Sequence, residues 1–500
     1  MSDGNAGKRP PVKGRFVPTG RPSPGKHPPP AARFLPQGRP AAAKPGEPAA
    51  PSALPLGARL LALNVLLDVH LQGAYASLAL GERLGRSALA PRDKRLATEL
   101  TYGALANQIR LDYMIDAYLD RKDVEAVVRD ILRLGAYQLF FLDRVPSNAA
   151  VDEAVKLTRA KDRESFTGLV NAVLRTMLRE PKRVVYPDAD AQPALALSVR
   201  HSVPLWLAQR LIECYGADVA WQIAAYDPPD QPVTVRANLE RITARDFEAY
   251  LARRGFQVQP GVVPGAYRIR QPGDLSREAE FRRGLFSIQG ESSMLAALAV
   301  GARPGWNVLD ACAAPGGKTA LLAQVLGGSG RVHAWDVHEH RVELLRGMAR
   351  RLGLDNVRPV LRDAAVPRPE MDATFDAVLV DAPCSGTGVM LSKPDVKYRQ
   401  TPESVSALVQ IQAALLRTCS RYVKPGGTLV YATCSILPEE NARQTAAFLA
   451  ENPAFTWQNI APALPEPLRP LADGGQVQLL AHRDGLDGFY IARMQRVGGY

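Results

Sequence analysis

The stretch Gly427-Thr428-Leu429-Val430-Tyr431-Ala432-Thr433-Cys434-Ser435 is the most informative segment of this chain of 500 residues. It is an apolar run with β-branched residues that follows the turn Pro425-Gly426, a pattern typical of a buried β-strand. The strand would end near Cys434 and place its thiol at the carboxyl end, where ligands bind in open α/β sheets. A structural role for Cys434 is the alternative, because free cysteine is among the most buried residue types.

The pattern around that stretch predicts a doubly wound α/β domain over residues 286–500. Strands are expected at 306–310, 331–336, 357–361, 375–381 and 428–432, and helices at 318–326, 339–352 and 403–423. Strands that alternate with helices at this spacing are joined by crossover connections. The sequence therefore predicts a Rossmann-like, mainly parallel sheet.

The first of these strands leads into a glycine loop, Asp310-Ala-Cys-Ala-Ala-Pro-Gly-Gly-Lys318. Small residues between a strand and a helix let backbone amides approach a ligand at the helix N-terminus. A Walker A loop would need glycine five places before Gly317, where Cys312 stands, and the dinucleotide fingerprint G-x-G-x-x-G is absent. The remaining interpretation is a loop that binds a smaller adenosyl ligand.

Carboxylates lie where the predicted strands end. Asp336 ends the second strand, where it could accept hydrogen bonds from ribose hydroxyls; Asp363 follows the third, near the expected adenine amino group; Asp381 ends the fourth. Each acid alone is more often a cap or turn residue. Together with Asp310 they place four acids at consecutive strand ends, which favours a ligand site.

A second cysteine leaves the same end of the predicted sheet, in the segment Asp381-Ala-Pro-Cys384-Ser385. Two thiols beside a site shaped for S-adenosyl-L-methionine suggest methylation of a pyrimidine carbon that is not itself nucleophilic. A thiolate that adds to carbon 6 would make carbon 5 nucleophilic. Spacing does not decide which thiol attacks, and both could be packing residues; a disulfide or metal pair is disfavoured.

The chain before residue 286 divides into three segments. Residues 1–53 are rich in Pro, Gly and Ala, and nine Lys and Arg against two acids give a charge of +7, which is typical of a disordered basic arm. Helical spacing of apolar residues over 54–182 predicts an all-α domain. Residues 183–285 are expected to form a polar connection up to residue 200 and then a small α/β subdomain. Its predicted helices are 201–215 and 243–254, and its strands 232–238 and 267–270.

The net charge of +12 favours a polyanionic partner, although solubility alone is the simpler explanation. Basic residues lie among the polar positions of the helical segment, either as a solvated face or as RNA contacts: Arg92, Lys94, Arg95, Arg110, Arg129, Arg133 and Arg175. The five cysteines lack metal-binding spacing and are typical of reduced thiols, so no metal is expected. The chain has neither a signal-peptide pattern nor an apolar run of about 18 residues, so we expect a cytoplasmic protein without membrane contact.

Three motifs of the α/β segment resemble those of the RNA 5-methylcytosine methyltransferases of the Sun/RsmB type. They are the glycine loop, the Asp381–Ser385 segment, and Tyr431-Ala-Thr-Cys-Ser-Ile-Leu-Pro-Glu-Glu-Asn441. The helical segment resembles the NusB-like RNA-binding domain of that group at residues 93–103, 134–138 and 169–175. The resemblance covers residues from about 55 to 497 and excludes the basic arm.

The resemblance implies a division of labour at the site. Cys434 matches the nucleophile, Cys384 the cysteine that assists elimination and release of the product, and Asp381 the acid that contacts the target cytosine. It also implies that S-adenosyl-L-methionine is held by Ala313, Ala314, Pro315, Gly316, Gly317, Lys318, Asp336, Arg341, Asp363 and Asp381.

The expected substrate is a cytosine of 16S ribosomal RNA, with transfer RNA as the closer alternative and a non-enzymatic role in RNA assembly as the more distant one. The helical domain and the loop Lys393–Arg399 would hold RNA phosphates while an unpaired cytosine enters the site. The oligomeric state stays open, with a monomer as the expectation.

Overall fold

The structure is a computed structural model, and it describes residues 56–120, 123–227, 232–270 and 273–498. The described residues belong to one compact unit. The predicted disordered arm, residues 1–53, lies outside the described residues.

The N-terminal part of the described chain is helical, as predicted. Its helices are α1 (Leu56–Gln72), α2 (Ala76–Arg86), α3 (Pro91–Ala106), α4 (Gln108–Asp116), α5 (Ala126–Phe141), α6 (Ser147–Ala160) and α7 (Thr167–Arg179). Helix α5 is central and contacts α1, α3, α4, α6 and α7. A Cβ atom on Gly103 of α3 would lie 2.0 Å from Cζ of Tyr137 on α5, so glycine is required for this close approach of the two helices.

Three short helices follow: α8 (Pro193–His201), α9 (Leu205–Tyr215) and α10 (Ala217–Ala225). The prediction of a polar connection up to residue 200 and of one helix from His201 to Tyr215 is wrong here. Ser202 adopts a left-handed conformation (φ 53°), and Pro204 has no N–H to continue a helix, so α8 ends at His201 and a new helix begins at Leu205. Helix α8 exists because it buries one apolar face, which includes Leu197.

An antiparallel sheet follows, in the order β2-β3-β1-β4. Its strands are β1 (Val233–Ala237), β2 (Gln257–Pro260), β3 (Ala266–Arg270) and β4 (Phe286–Ile288), and its helices are α11 (Ala244–Arg253) and α12 (Ala279–Arg282). Phe247 of α11 packs on this sheet, with its ring centroid 5.3 Å from that of Tyr267 and 5.7 Å from that of Phe286. The sequence predicts β1, β3 and α11 to within a residue or two but not β2 or β4.

The C-terminal part contains a second, larger sheet in the order β10-β12-β9-β8-β5-β6-β7, with β11 also paired to β12. Its strands are β5 (Asn307–Asp310), β6 (Arg331–Asp336), β7 (Val357–Leu361), β8 (Phe375–Asp381), β9 (Val423–Thr433), β10 (Phe455–Trp457), β11 (Gln476–Leu479) and β12 (Phe489–Arg496). The helices are α13 (Glu291–Leu298), α14 (Gly317–Val325), α15 (Glu339–Leu352), α16 (Pro402–Arg421), α17 (Ala442–Glu451) and α18 (Ala481–Asp484).

Strands β7, β6, β5, β8 and β9 are parallel, and β12 is antiparallel to β9. The predicted fold class, a doubly wound and mainly parallel sheet behind an all-α domain, is confirmed. Strands β10, β11 and β12 were not predicted; β12 pairs with β9, which makes β9 an interior strand.

The order of strands reverses between β5 and β8. Strands β6 and β7 lie on one side of β5, whereas β8 and β9 lie on its other side. Ligands of open α/β sheets bind outside the carboxyl ends of the strands at such a switch point. The sheet is buried on both sides here, since Val378 of β8 is enclosed on one face and Leu379 of the same strand on the other. The switch point is therefore a rigid platform for the residues that follow these strands.

Candidate active site

The two cysteines predicted for the site lie side by side. Strands β8 and β9 are parallel neighbours, with Asp381 opposite Ala432, so the segments that follow both strands leave the same edge of the sheet. The Sγ atoms of Cys384 and Cys434 are 3.3 Å apart. The backbone N–H of Gly388 donates to the carbonyl of Cys434 at 2.9 Å, which joins the two segments directly.

The pKa values of the two thiols shift in opposite directions. A hydrogen bond from Cys384 lowers the pKa of Cys434, and the positive charges of Lys318 and Lys393 act in the same direction, against burial and the charge of Asp381. The same hydrogen bond raises the pKa of Cys384 well above its ordinary value, and burial adds to this effect. Cys434 is therefore the member of the pair that becomes a thiolate, and Cys384 is the thiol that donates to it.

Lys318, in the first turn of α14, lies beside the thiols. Its Nζ atom is 2.6 Å from Oδ2 of Asp381, and its side chain is largely enclosed. Burial lowers the pKa of Lys318, but the charge and the hydrogen bond of Asp381 outweigh burial, so that the net effect raises it. Asp381 thus keeps Lys318 protonated at the end of β8, close to Cys434.

The glycine loop connects β5 to α14. Gly316 has a φ of +110°, a conformation that favours glycine, and the side chain of Met348 on α15 lies close to it. Asp310 at the end of β5 is fully buried, and burial raises its pKa to about 7. Its Oδ2 atom accepts from Oγ1 of Thr319 at 2.7 Å, whereas Oδ1 has no hydrogen-bond partner among the described residues.

Asp336 and Asp363 follow adjacent strands, β6 and β7. Oδ1 of Asp336 accepts from the N–H of His338 at 3.1 Å, and Oδ2 accepts from the N–H of Ala314 in the glycine loop at 3.4 Å. Arg341 is near, with Nη1 3.8 Å from Oδ2 of Asp336. Asp363 is exposed and uses Oδ1 to accept from the N–H of Ala365 at 2.8 Å.

These residues fit the adenosyl cofactor expected from the sequence. Each carboxylate oxygen of Asp336 has one donor, so lone pairs remain for ribose hydroxyls, and one oxygen of Asp363 remains for an amino group. The unpartnered oxygen of buried Asp310 lies at the start of the same loop. The glycine loop, Asp336 and Asp363 follow β5, β6 and β7, whereas the thiols follow β8 and β9 on the other side of the switch point, and Lys318 lies between the two groups.

Sequence reasoning missed Glu440 as a site residue. It is fully buried and accepts hydrogen bonds from the hydroxyls of Ser385 and Ser435, each at 2.5 Å. The available signal was its position in the motif that follows Cys434, but a glutamate in a turn ordinarily faces solvent.

The predicted role of the loop Lys393–Arg399 in holding phosphates is wrong for most of its residues. Nζ of Lys397 is buried and donates to the carbonyl of Ala106 at 3.0 Å, and the hydroxyl of Tyr398 donates to the carbonyl of Leu105 at 2.8 Å. Arg399 donates to backbone carbonyls in the connection between α1 and α2. The loop thus anchors the sheet to the helical part, and only Lys393 is exposed.

Some of the basic residues predicted as RNA contacts have partners within the helical part, and others are exposed; Lys94, for example, donates to the carbonyl of Leu84 at 3.2 Å. Arg133 is enclosed and paired with Asp112 at 2.6 Å and Asp130 at 2.7 Å, and Arg129 is paired with Asp116 at 2.6 Å. Exposed side chains, which are accessible to a polyanion, are those of Arg92, Arg95 and Arg175.

Two features are absent from the part of the chain that the structure describes. No helix there is both long and apolar enough to cross a membrane. No group of three or more His, Cys, Asp or Glu side chains is arranged to hold a metal ion.

Family models and curated relatives match nearly all of the described chain. The model described as 16S rRNA methyltransferase RsmB/F matches residues 297–495, and the NusB family model matches residues 56–179. The chain is 36% identical to the probable ribosomal RNA small subunit methyltransferase B of Bacillus subtilis, over 88% of this chain and 98% of that protein. It is 34% identical to ribosomal RNA small subunit methyltransferase B of Pasteurella multocida, over 88% and 96% of the two chains.

Solved structures agree with this assignment. The crystal structure of PH0851 superimposes with a TM-score of 0.76 at 25% identity and covers 89% of this chain and 99% of that one. A methyltransferase homolog from Pyrococcus horikoshii has a TM-score of 0.51 at 29% identity, over 61% of this chain and 99% of its own. The chain therefore belongs to the ribosomal RNA small subunit methyltransferase B family, whose members are S-adenosylmethionine-dependent RNA methyltransferases.

Proposed function

We propose that this protein methylates carbon 5 of a cytosine in 16S ribosomal RNA through a covalent bond between Cys434 and carbon 6 of the base. The observation that carries the proposal is the pair of thiols, 3.3 Å apart at the carboxyl ends of β8 and β9. The relatives named ribosomal RNA small subunit methyltransferase B support the choice of RNA.

Addition to the base is assigned to Cys434. Its thiolate forms a bond to carbon 6, and the electron pair of the double bond between carbons 5 and 6 moves to carbon 5, which becomes the nucleophile. The hydrogen bond from Cys384 and the charge of Lys318 favour this thiolate. Asp381, held by Lys318, would contact the polar edge of the cytosine.

The methyl donor would lie against the glycine loop. Asp336 would accept hydrogen bonds from the ribose hydroxyls and Asp363 from the adenine amino group, while the N-terminus of α14 and Gly316 let the backbone approach closely. When bound, S-adenosylmethionine supplies the methyl group that carbon 5 accepts.

Elimination is assigned to Cys384. Once the sulfur of Cys434 is bonded to carbon, it no longer carries the charge that holds the proton on Cys384, so the pKa of Cys384 falls and the thiol releases its proton to solvent. The resulting thiolate takes the proton from carbon 5, the electron pair re-forms the double bond, and the bond between carbon 6 and sulfur breaks. The product leaves, and the starting state of the pair, with Cys384 protonated and Cys434 as thiolate, is restored.

RNA binding is assigned to the helical part together with Lys393. The exposed arginines Arg92, Arg95 and Arg175 would attract phosphates, while Arg129 and Arg133 are already neutralised by aspartates. An unpaired cytosine can enter the site without the cost of opening a duplex, as is usual for sequence-specific RNA recognition.

The test uses small ribosomal subunits or 16S ribosomal RNA with labelled S-adenosylmethionine, followed by bisulfite mapping of the methylated cytosine. Cys434→Ala should abolish transfer, and Cys384→Ala should accumulate a covalent complex with RNA that survives denaturing electrophoresis. Cys214→Ala, which changes a thiol on α9, is the matched control and should behave as the wild type.

Full transfer by Cys434→Ala would refute the covalent mechanism, and label found only in transfer RNA would refute the ribosomal substrate. Calorimetry that detected no cofactor binding would favour a non-enzymatic role.

A further inference from the structure

Glu440 is a fully buried carboxylate in the turn that follows Cys434. Its Oε1 atom accepts from the backbone N–H of Ser385 at 2.8 Å and from Nε2 of Gln412 at 3.0 Å. Its Oε2 atom accepts from the hydroxyls of Ser385 and Ser435, each at 2.5 Å. The four donors match the four lone-pair sites of a carboxylate, so the side chain is held on all sides.

Two of these partners directly follow the paired thiols in the chain. Ser385 follows Cys384 and Ser435 follows Cys434, so one carboxylate ties together two segments that are 50 residues apart in sequence. Thr387 completes the network, with Oγ1 3.2 Å from Oγ of Ser385 and 3.1 Å from Oγ of Ser435. Hydrogen bonds to a charged acceptor are about twice as strong as neutral ones. The carboxylate of Glu440 therefore holds the two residues that directly follow the thiols, and through them the spacing of the thiols.

The charge of Glu440 also acts unequally on the two thiols. It adds to the hydrogen bond with Cys434 and to burial in raising the pKa of Cys384. The causes that act on Cys434 are instead the hydrogen bond from Cys384, burial, and the charges of Asp381, Lys318 and Lys393. A negative charge on the Cys384 side of the pair favours the arrangement in which Cys384 is the donor.

We propose that Glu440 is a positioning residue for the methyl transfer, which holds the two thiols at hydrogen-bonding distance and keeps their proton on Cys384. It acts through Ser385 and Ser435 and has no contact with base or cofactor of its own. The inference rests on the proposed covalent mechanism, because only that mechanism requires the two thiols to lie at hydrogen-bonding distance. A purely structural Glu440 would affect folding but not the reactivity of Cys384.

The first experiment compares Glu440→Gln with Glu439→Gln. Glutamine has the size of glutamate but lacks its charge and two of its acceptor sites. Glu439 is the matched control, an adjacent glutamate that pairs instead with Arg210 of α9 at 2.9 Å. We expect E440Q to bind S-adenosylmethionine and RNA as the wild type does and to lose about 100-fold in kcat, the effect of a misplacement of about 1 Å. KM should stay unchanged, and E439Q should match the wild type.

The second experiment measures the reactivity of Cys384 itself. In a Cys434→Ser background, alkylation of Cys384 by iodoacetamide is followed against pH by mass spectrometry of the labelled peptide. Loss of a nearby negative charge eases formation of the thiolate, so E440Q should move the midpoint of alkylation to lower pH, whereas E439Q should not. An unchanged midpoint or an unchanged kcat would overturn the inference.

Two outcomes separate this inference from the proposed function. If Cys434→Ala transfers methyl groups at the full rate, the covalent mechanism fails, and the role of Glu440 fails with it. If Cys434→Ala is inactive while E440Q keeps the full rate, only the role of Glu440 fails. Should E440Q not fold, Ser435→Ala takes its place, because it removes one tie to the carboxylate and leaves the charge buried; a full kcat in that variant would equally overturn the inference.

Discussion

Lys397 allows the effect of a buried charge on stability to be predicted from the structure. Its ammonium group is enclosed where the loop after β8 meets the end of α3, and burial lowers its pKa from 10.5 to about 7. At about 1.4 kcal/mol per pKa unit, this difference costs the folded state about 5 kcal/mol. The penalty is complete below pH 7, where both states hold the proton. It decreases as the pH rises from about 7 to 10.5, because the folded state has then lost a proton that the unfolded chain still binds.

Lys397→Met removes the charge and keeps most of the volume of the side chain. The variant loses the hydrogen bond to the carbonyl of Ala106 and leaves that carbonyl unpaired, which costs about 2 kcal/mol. We therefore expect a net gain of about 3 kcal/mol in the free energy of unfolding at pH 6, and a small loss at pH 10. Urea unfolding of both proteins at the two pH values measures this.

Lys393→Met is the matched control, since Lys393 is an exposed lysine of the same loop and its replacement should change stability by less than about 0.5 kcal/mol. The reasoning would be refuted if K397M were less stable than the wild type at pH 6. It would also be refuted if the gain were equal at the two pH values, because the effect would then come from packing and not from the charge.

Two further predictions concern the helical part and the site. Gly103→Ala would place its Cβ 2.0 Å from Tyr137, so we expect a loss of about 2 kcal/mol in calorimetric unfolding. Gly168→Ala, at an open position of α7, should gain about 0.5 kcal/mol, and equal melting of the two variants would contradict this. Lys318→Met removes a charge that lowers the pKa of Cys434, so the acidic limb of the pH profile for single-turnover transfer should move to higher pH. An unmoved limb would mean that Lys318 does not act on the thiolate.

Local patterns predict the central strands well. The strands at 331–336, 357–361 and 375–381 have the predicted bounds, because each is a short run rich in β-branched or other apolar residues that turn residues limit on both sides. The division between α8 and α9 was missed, although Pro204 marks it, because the left-handed conformation of Ser202 carries no strong signal in the sequence. Strands β10 and β11 were missed because they are short and form by pairing with β12. Strand β12 was missed because it is defined by its pairing with β9, which lies far from it in sequence.

The loop Lys393–Arg399 illustrates a different limit. Its three basic residues suggest contact with phosphates, but a sequence does not show whether an ammonium group faces solvent or the carbonyl end of a helix. Packing against α3 buries Lys397. Tyr398 and Arg399 donate hydrogen bonds to backbone carbonyls of the helical part.

Residue types and local periodicity are enough to predict the α/β sheet, the glycine loop and two cysteines at the ends of strands, since these follow from short segments of chain. They leave open which thiol carries the charge. That difference depends on the 3.3 Å contact between Cys384 and Cys434 and on Lys318 and Glu440, which come from separate segments of the chain. Electrostatic interactions act through space, so the unequal acidity of the two thiols exists only once the folded chain has brought these groups together.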